Sequence, residues 1–285
     1  MNRTIGRRTF DFDRQVAVMA IINRTPDSFY DKGATFALDR AVDASLAAAA
    51  NGADWVDIGG VPFGRGDPVS LADEIDRVVP VIAAINHRSD VVISVDTTNA
   101  EVAWRSIAAG ASVINDTSGF SDPEMASVVA ASGATLVITH SNGVPRSEPQ
   151  RPQYDDVIGE VATYLRERVA QAEAAGIPRD RLIVDPGHDL NKNTMHTLEI
   201  TRRLQEIVAI GLPTLAAVSN KDFIGEAIDR EQGQRQSGSI AAAVICIMNG
   251  ARIVRMHDVP AAVDAVRLTE AVLGFRQPAQ ARHNV

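Results

Sequence analysis

The sequence predicts a parallel α/β barrel of eight strand–helix units, and three observations predict it. Eight short apolar runs, rich in Val and Ile, each end on a polar residue: Asn23, Asp57, Asp96, Asn115, His140, Asp185, Ser219 and Arg255. Six of these runs follow a helix-like stretch closed by glycine, at Gly52, Gly110, Gly133, Gly176, Gly211 or Gly250, where a helix takes a left-handed cap. The runs are continuous rather than alternating, as strands covered on both faces of a parallel sheet are. A chain of 285 residues with 45% apolar content suits one such barrel better than two small domains. The expected class is therefore a single-domain (β/α)8, or TIM, barrel.

In chain order, an N-terminal extension covers 1–15, the barrel 16–275 and a C-terminal tail 276–285. Strands are expected at 16–22, 55–58, 91–95, 112–114, 135–139, 182–184, 214–218 and 252–256. Amphipathic segments at 37–50, 71–86, 157–175 and 194–210 read as crossover helices, the last capped by Asn193. The intervals between strand ends are unequal, so the units are not a sequence-level repeat array. Three strand-to-helix connections stand out, at 23–36, 59–70 and 232–239. The first two leave strands at the catalytic face and are expected to be mobile loops over a site; the third reads as a surface connection without chemistry.

Composition narrows the partners. A net charge of −8 gives no large basic field, which argues against nucleic acid and against anionic membrane surfaces, while a local cationic pocket stays open. The one cysteine, Cys246, excludes an internal disulfide and a thiolate metal site and fits a reducing cytoplasm. Arg7-Arg8 superficially resembles an export signal, but Asp11 and Asp13 separate it from an apolar run too short for that role. No run approaches the roughly 20 apolar residues of a membrane helix.

At the strand ends and just beyond them stand Asn23, Asp57, Asp96, Asn115, Asp116, His140, Asp185, Lys221, Arg255, His257 and Asp258. Carboxylates there accept pairs of N–H groups and amides both donate and accept, which suits a heterocycle with amidine-like edges. Lys221 and the Arg255-x-His257 pair suit a phosphate or diphosphate. Together they point to a phosphorylated heteroaromatic ligand.

The ordered motifs Asn23-Arg24-Thr25-Pro26-Asp27-Ser28-Phe29 with Asp31, Ser94-Val95-Asp96-Thr97, Asn115-Asp116-Thr117-Ser118-Gly119, Asp185-Pro186-Gly187, Ser219-Asn220-Lys221 and Arg255-Met256-His257-Asp258 resemble the dihydropteroate synthase family. That family condenses 6-hydroxymethyl-7,8-dihydropterin diphosphate with p-aminobenzoate and releases diphosphate. The resemblance implies that Asp96, Asn115, Asp185 and Lys221 read the pterin ring, with Ser219 alongside, and that Asn23, Arg255 and His257 hold the diphosphate with Mg²⁺, Asn23 serving the metal. Fixed cations would stabilise the charge that grows as the C–O bond breaks, so Lys221 and Arg255 are expected to act in catalysis. Asp31 is typed to stabilise the cationic methylene, and Phe29 to exclude water and shape the amine's path. The resemblance also implies a homodimer.

Departures cluster on one face. The family's G-G-E-S-T-R-P-G loop, which helps build the p-aminobenzoate site, is Gly59-Gly60-Val61-Pro62-Phe63-Gly64-Arg65-Gly66 here. Arg65, between two glycines that make the backbone adaptable, is the candidate for the second substrate's carboxylate. The family's G-x-G-F-G-K is Gly187-His188-Asp189-Leu190-Asn191-Lys192, its S-R-K is Ser219-Asn220-Lys221, and a usual Gly is Ala217. An added methyl against a planar ring costs on the order of 1–3 kcal/mol if the wall cannot yield, and one lost transition-state donor costs about 10²–10³ in rate.

Simpler readings apply elsewhere. Asp57 and Asp258 are expected to cap loops, His140 and His188 to form pocket wall, Trp55 and Trp104 to pack, and His87, His196 and His283 to lie on the surface. For Asp96, Asn115, Asp185, Lys221 and Arg255 taken together a purely structural reading fails, because so many buried polar groups at one mouth are costly without a ligand or water. The expectation is a synthase-type transferase with reduced or altered use of its second substrate. The alternative is an inactive paralogue that binds pterin diphosphate in a regulatory role. A pterin-dependent methyltransferase is disfavoured, since it would have no diphosphate for Lys221 and Arg255 to hold.

Overall fold

A computed structural model of the chain describes residues 1–24, 38–62, 66–143 and 151–283. The chain begins with an antiparallel hairpin of β1 (Asn2–Ile5) and β2 (Arg8–Asp11). The barrel strands follow as β3 (Ala17–Asn23), β4 (Trp55–Gly59), β5 (Val92–Asp96), β6 (Val113–Asp116), β7 (Thr135–Thr139), β8 (Leu182–Asp185), β9 (Leu215–Ala216) and β10 (Ile253–Met256). They run parallel in the order β8-β7-β6-β5-β4-β3-β10-β9, and a parallel bridge between Val184 and Thr214 brings the two ends together. Around them lie α1 (Leu38–Ala50), α2 (Leu71–Asn86), α3 (Ala100–Ala109), α4 (Met125–Ala131), α5 (Val157–Ala174), α6 (Thr194–Arg202), α7 (Gln205–Val208), α8 (Asp222–Ile228), α9 (Gln236–Met248) and α10 (Val259–Val272). The eight-stranded barrel expected from the sequence is the fold.

Strand alternation sorts the apolar residues into two layers. Val18, Val56, Ile93, Ile114, Leu136 and Val184 face outward into the core under the helices. Met19, Trp55, Val92, Val113, Val137 and Ile253 face inward and fill the lower barrel, where Ile5, Phe10 and Phe12 of the N-terminal segment join them. The extension at 1–15 thus closes the barrel's N-terminal end. Phe10 stacks on Phe12 at 5.6 Å and meets Trp55 edge-on at 5.8 Å, so Trp55 packs as expected. Trp104 does not: it is 55% exposed on α3, with the Arg105 guanidinium over its ring.

The glycine caps explain where helices stop. Gly52, Gly110, Gly176, Gly211 and Gly250 all have positive φ, the conformation that a left-handed cap requires. Gly110 is doubly constrained, since a Cβ there would fall 2.3 Å from Asn86 Nδ2. Gly133 departs from the expectation because Ser132 ends α4 in an extended conformation instead. The capping box at Asn193 forms with His196.

Two elements are shorter than the sequence pattern. The strand expected at 214–218 is reduced to β9; beyond it Ser219 Oγ accepts the His257 N–H at 3.2 Å and Asn220 turns to φ 58. The helix expected at 194–210 divides into α6 and α7 at Arg203, whose guanidinium bonds Glu199 on one side and Glu206 on the other. Among the described residues no helix is long and apolar enough to cross a membrane.

Candidate functional site

Moving up the inward face of each strand, apolar residues give way to polar ones. Two residues above Trp55 on β4 is Asp57, above Val92 on β5 come Ser94 and Asp96, above Val113 on β6 is Asn115, and above Ile253 on β10 is Arg255. Parallel register sets Asp96 beside Asn115, Gly59 beside Asp96 and Asn23 beside Gly59. Gly59 permits this crowding, since a Cβ there would lie 3.2 Å from Asn23 Oδ1 and 3.9 Å from Asp96 Cβ.

Arg255 is the hub. Its Nε donates to Asp57 Oδ2 at 2.6 Å and its Nη2 to Asp96 Oδ2 at 3.1 Å. Burial alone would depress its pKa, but Asp57 and Asp96 outweigh that and raise it. Asp57 Oδ2 also accepts from Asn115 Nδ2 at 3.0 Å. Asp57 is fully buried and braces both neighbours, which overturns its reading as a loop cap. The signal was its parity: it shares the inward face of β4 with Trp55. Asp96 takes the Thr117 hydroxyl on its other oxygen at 3.3 Å. Desolvation pushes its pKa up to about 7, opposed by Arg255 and reinforced by Asp57.

Opposite, Asp185 accepts the Gly187 N–H at 2.7 Å, and burial lifts its pKa to about 6 against that bond and Lys221. Lys221 is itself depressed, first by burial, although Asp189, Asp185 and Asp96 pull the other way. Ser219 Oγ lies 2.9 Å from His257 Nδ1, so these two hold each other at the rim.

Asn23, Asp96, Asn115, Asp185, Ser219, Lys221, Arg255 and His257 all line one cavity of about 280 Å³ at the C-terminal mouth of the barrel, the face where such barrels carry chemistry. Phe29, Asp31 and Arg65 lie outside the described residues. Buried Asn115 Oδ1 and Thr139 Oγ1 make no hydrogen bond with the protein, which leaves polar capacity near the floor.

Other strand-end residues separate from the site. Asp116 points outward and accepts from Ser118 N–H, Ser118 Oγ and Phe120 N–H, and Asp258 caps α10 through Ala261 N–H. His188 lines the cavity as expected of pocket wall, while His140 sits beside the loop that follows β8. Burial drives the pKa of each imidazole down to about 3, so both are neutral at pH 7.

The sequence reading also missed two contributors. Lys192 Nζ lies 2.9 Å from His140 Nδ1 and donates to the carbonyls of Gly187 and Leu190, each at 2.9 Å. It secures the loop after Asp185, and burial lowers its pKa to about 7. Gln232 lines the cavity, so the connection at 232–239 is not a bare surface link: it folds back to the mouth and then enters α9. Lys192 had one signal, its place as the lysine that ends the Gly187–Lys192 motif, whereas Gln232 had none beyond residue type. Among the described residues no group of three or more His, Cys, Asp or Glu side chains could hold a metal ion.

Comparison with known proteins agrees with this geometry. A family model described as "Pterin binding enzyme" matches residues 19–257. The chain is 44% identical over 272 residues to a Mycobacterium leprae protein named "Inactive dihydropteroate synthase 2", covering 93% of each chain. It is 40% identical over 261 residues to the dihydropteroate synthase of Escherichia coli K12, covering 91% of this chain and 93% of that one. The structure of Xanthomonas albilineans dihydropteroate synthase in complex with 7,8-dihydropteroate superposes with a TM-score of 0.83 at 35% identity, covering 95% of this chain and 98% of that one.

Proposed function

Because this chain belongs to the pterin-binding enzyme family, within the dihydropteroate synthases and their inactive paralogues, we propose that it binds 6-hydroxymethyl-7,8-dihydropterin diphosphate as a synthase-type transferase with reduced or altered use of p-aminobenzoate. The observation that carries this reading is the convergence of Asp96, Asn115, Asp185, Lys221 and Arg255 on one cavity. Ionised Asp96 and Asp185 accept the ring's paired N–H groups, and Asn115 completes the edge. Arg255 has five N–H donors and spends two on Asp57 and Asp96, so three remain for the departing diphosphate. Lys221 and His257 add charge and a donor there, which stabilises the anion as the C–O bond opens. Asp31 and Phe29 are assigned to the methylene and to water exclusion, and Arg65 to the second substrate.

Magnesium fits the donor set present. Asn23 offers an amide oxygen at the end of β3, on the cavity wall, and Mg²⁺ characteristically takes few protein oxygens and completes its shell from phosphates and water. Asn23 would hold it, and the ion would supply charge neutralisation to the diphosphate.

The test is calorimetric titration with the pterin diphosphate and Mg²⁺. Binding by the unmodified protein and its abolition in Asp185→Ala and Lys221→Ala are expected; no binding by the unmodified protein removes the proposal. A coupled assay with p-aminobenzoate then measures turnover, and restoring the family's second loop at 59–66 is expected to raise it. The second reading, an inactive paralogue in a regulatory role, draws on the name of the Mycobacterium leprae relative and on Val61 and Pro62 at the rim; binding with no turnover after loop restoration selects it.

A cytoplasmic homodimer completes the proposal. Its support is the single buried cysteine, Cys246, and the exposed apolar side chains Met248, Leu268 and Val272 on α9 and α10. Sedimentation velocity reads the assembly state.

A further inference from the structure

We propose that Lys192 is a positioning residue for Asp185: its amine gathers the turn after β8 and the end of β7, so that the Gly187 N–H holds the Asp185 carboxylate where the heterocycle is read. The inference rests on the functional reading above, which gives Asp185 that task, and it names the device that keeps the carboxylate in place.

Asp185 depends on the turn that follows it. β8 ends at Asp185, and Pro186 has no N–H to offer, so Gly187 is the first backbone donor beyond the strand. Its N–H reaches Asp185 Oδ1 at 2.7 Å, and among the described residues this is the carboxylate's one hydrogen bond to the protein. The carboxylate therefore goes where the turn takes it. That turn is tightly specified: Gly187 has φ 68, and a Cβ on it would collide with the His140 carbonyl oxygen. His140 donates its own N–H to Asp185 O at 2.9 Å, so the ends of β7 and β8 and the turn form one unit.

Lys192 supplies the fastening. A protonated lysine amine has three N–H donors and no acceptor, and Lys192 Nζ has three acceptors at 2.9 Å: Gly187 O, Leu190 O and His140 Nδ1. Gly187 O takes the Leu190 N–H as well, at 3.0 Å. Toward an ammonium the imidazole Nδ1 can only accept, so His140 carries its proton on Nε2. Its ring is held edge-on to Tyr164 at 4.7 Å, and Tyr154 O–H donates at 3.1 Å to the carbonyl of Asn191, next to Lys192 in the chain. Lys192 is 7% exposed. A lysine that needed only to pack its stem would leave its amine in water; this one is drawn inside and spends its donors on the turn and on His140.

The same amine acts on Asp185 through charge. Burial raises the Asp185 carboxyl, and against it stand the Gly187 N–H, then Lys221, Lys192 and Arg255. Lys192 therefore contributes twice, once directly and once by fixing the Gly187 N–H. The other charged groups around the pair are Lys221 at the start of α8, Asp189 in the loop after β8 and Arg255 on β10. The imidazoles of His140, His188 and His196 and the Cys246 thiol on α9 are the remaining titratable neighbours. Lys221 and Arg255 are themselves assigned to the ligand. Lys192 does not line the cavity, so it acts through Asp185 and not on the ligand.

The experiment uses Lys192→Met, which keeps the stem and removes the amine, and His140→Phe, which keeps a ring against Tyr164 and removes the Nδ1 acceptor. Two quantities are read on the full chain. One is the titration midpoint of Asp185 without ligand, from its carboxyl carbon-13 shift; the other is the calorimetric Kd of the pterin diphosphate with Mg²⁺ at pH 7. Lys192→Met is expected to move the midpoint up by about one pH unit and to weaken binding about tenfold. His140→Phe is expected to move both in the same direction by a smaller amount. A lysine that only stabilised the fold would, when replaced, lower the unfolding temperature and leave the Asp185 midpoint of the folded protein where it is. An unmoved midpoint or an unchanged Kd in Lys192→Met overturns the inference; should that variant not fold, either result in His140→Phe overturns it. Failure of the unmodified protein to bind the pterin diphosphate removes the functional reading instead, and the ligand-free midpoint still decides whether Lys192 sets Asp185.

Discussion

The inner face of the barrel changes character halfway up. In the lower half Met19, Trp55, Val92 and Val113 meet Phe10 and Phe12 of the hairpin in a dry, aromatic-centred core. In the upper half the same strands present Asp57, Asp96, Asn115 and Arg255, tied into a buried ion-pair network. The strands, twist and alternation are shared, so geometry does not distinguish the halves. The difference is energetic: the lower residues stabilise the fold by leaving water, whereas each upper residue costs desolvation that its partners offset only in part. One half of the barrel holds the fold together, and the other is held in readiness by it.

Arg255→Ala is the harshest way to break this division, because Arg255 belongs to both functions. Removing it leaves Asp57 and Asp96 facing each other inside the barrel, and breaking a buried pair costs about 3–5 kcal/mol. Denaturant unfolding is expected to show that loss, and calorimetry the loss of pterin diphosphate binding. A stable variant that still binds would dissolve the claimed network.

Trp55→Ala probes the lower half alone. Truncating a fully buried Trp costs about 3–5 kcal/mol, while the folded fraction is expected to bind the pterin diphosphate with unchanged affinity. A parallel fall in affinity would show that the two halves are mechanically coupled.

Asp57→Asn is milder and sharper. It keeps the shape and an acceptor but discharges the brace beneath Arg255 and Asn115, so ligand affinity is expected to fall about tenfold, equivalent to roughly 1.4 kcal/mol. Asp57 does not itself line the cavity, so the change is transmitted through Arg255 and Asn115. Salt dependence of binding, compared with that of the unmodified protein, reads the altered charge at Arg255; identical affinity and identical salt dependence would reduce Asp57 to packing.

A pH dependence, the smallest effect within any few tenths of a pH unit, has opposite signs for stability and binding. Burial raises the Asp185 carboxyl from its ordinary 3.8 to about 6 and that of Asp96 to about 7. Between those limits the folded chain binds more protons than the unfolded one, so these two groups make the unliganded protein less stable as pH rises from about 4 to 7. Pterin affinity runs the other way, because only the ionised carboxylates accept paired N–H groups, and it weakens as pH falls through about 7 and then 6. Thermal unfolding and calorimetry across pH 5–8 check both slopes, and Asp185→Asn is expected to flatten them. Affinity constant over that range would exclude the carboxylates from ring recognition.

Much of this was legible before any coordinates. The eight apolar runs marked the eight strands, and five of the six glycines placed before them cap helices in the left-handed region. Asp96, Asn115, Asp185, Lys221 and Arg255 stood at or just past strand ends and do share one cavity. Asp57 was misjudged because a carboxylate near a strand end looks the same in sequence whether it caps a loop or enters the barrel. Lys192 stood in the Gly187–Lys192 motif, but its role was not legible because its partner His140 lies 52 positions away.

What the sequence determined by itself was local: the number and chain order of the barrel strands, most helix stops, and which strand-end residues could reach the mouth; the hairpin of β1 and β2 it did not mark. These follow from hydrophobic periodicity and from the few residues that accept positive φ, properties that neighbouring residues settle among themselves. Only the tertiary structure decided the pairings, such as Arg255 with Asp57 across 198 positions, the hairpin seated under Trp55, and the Asp189 carboxylate held on the Phe223 N–H. Those depend on how parallel strands stagger around a closed barrel, and stagger is fixed by the packing of the whole ring rather than by any one segment of it.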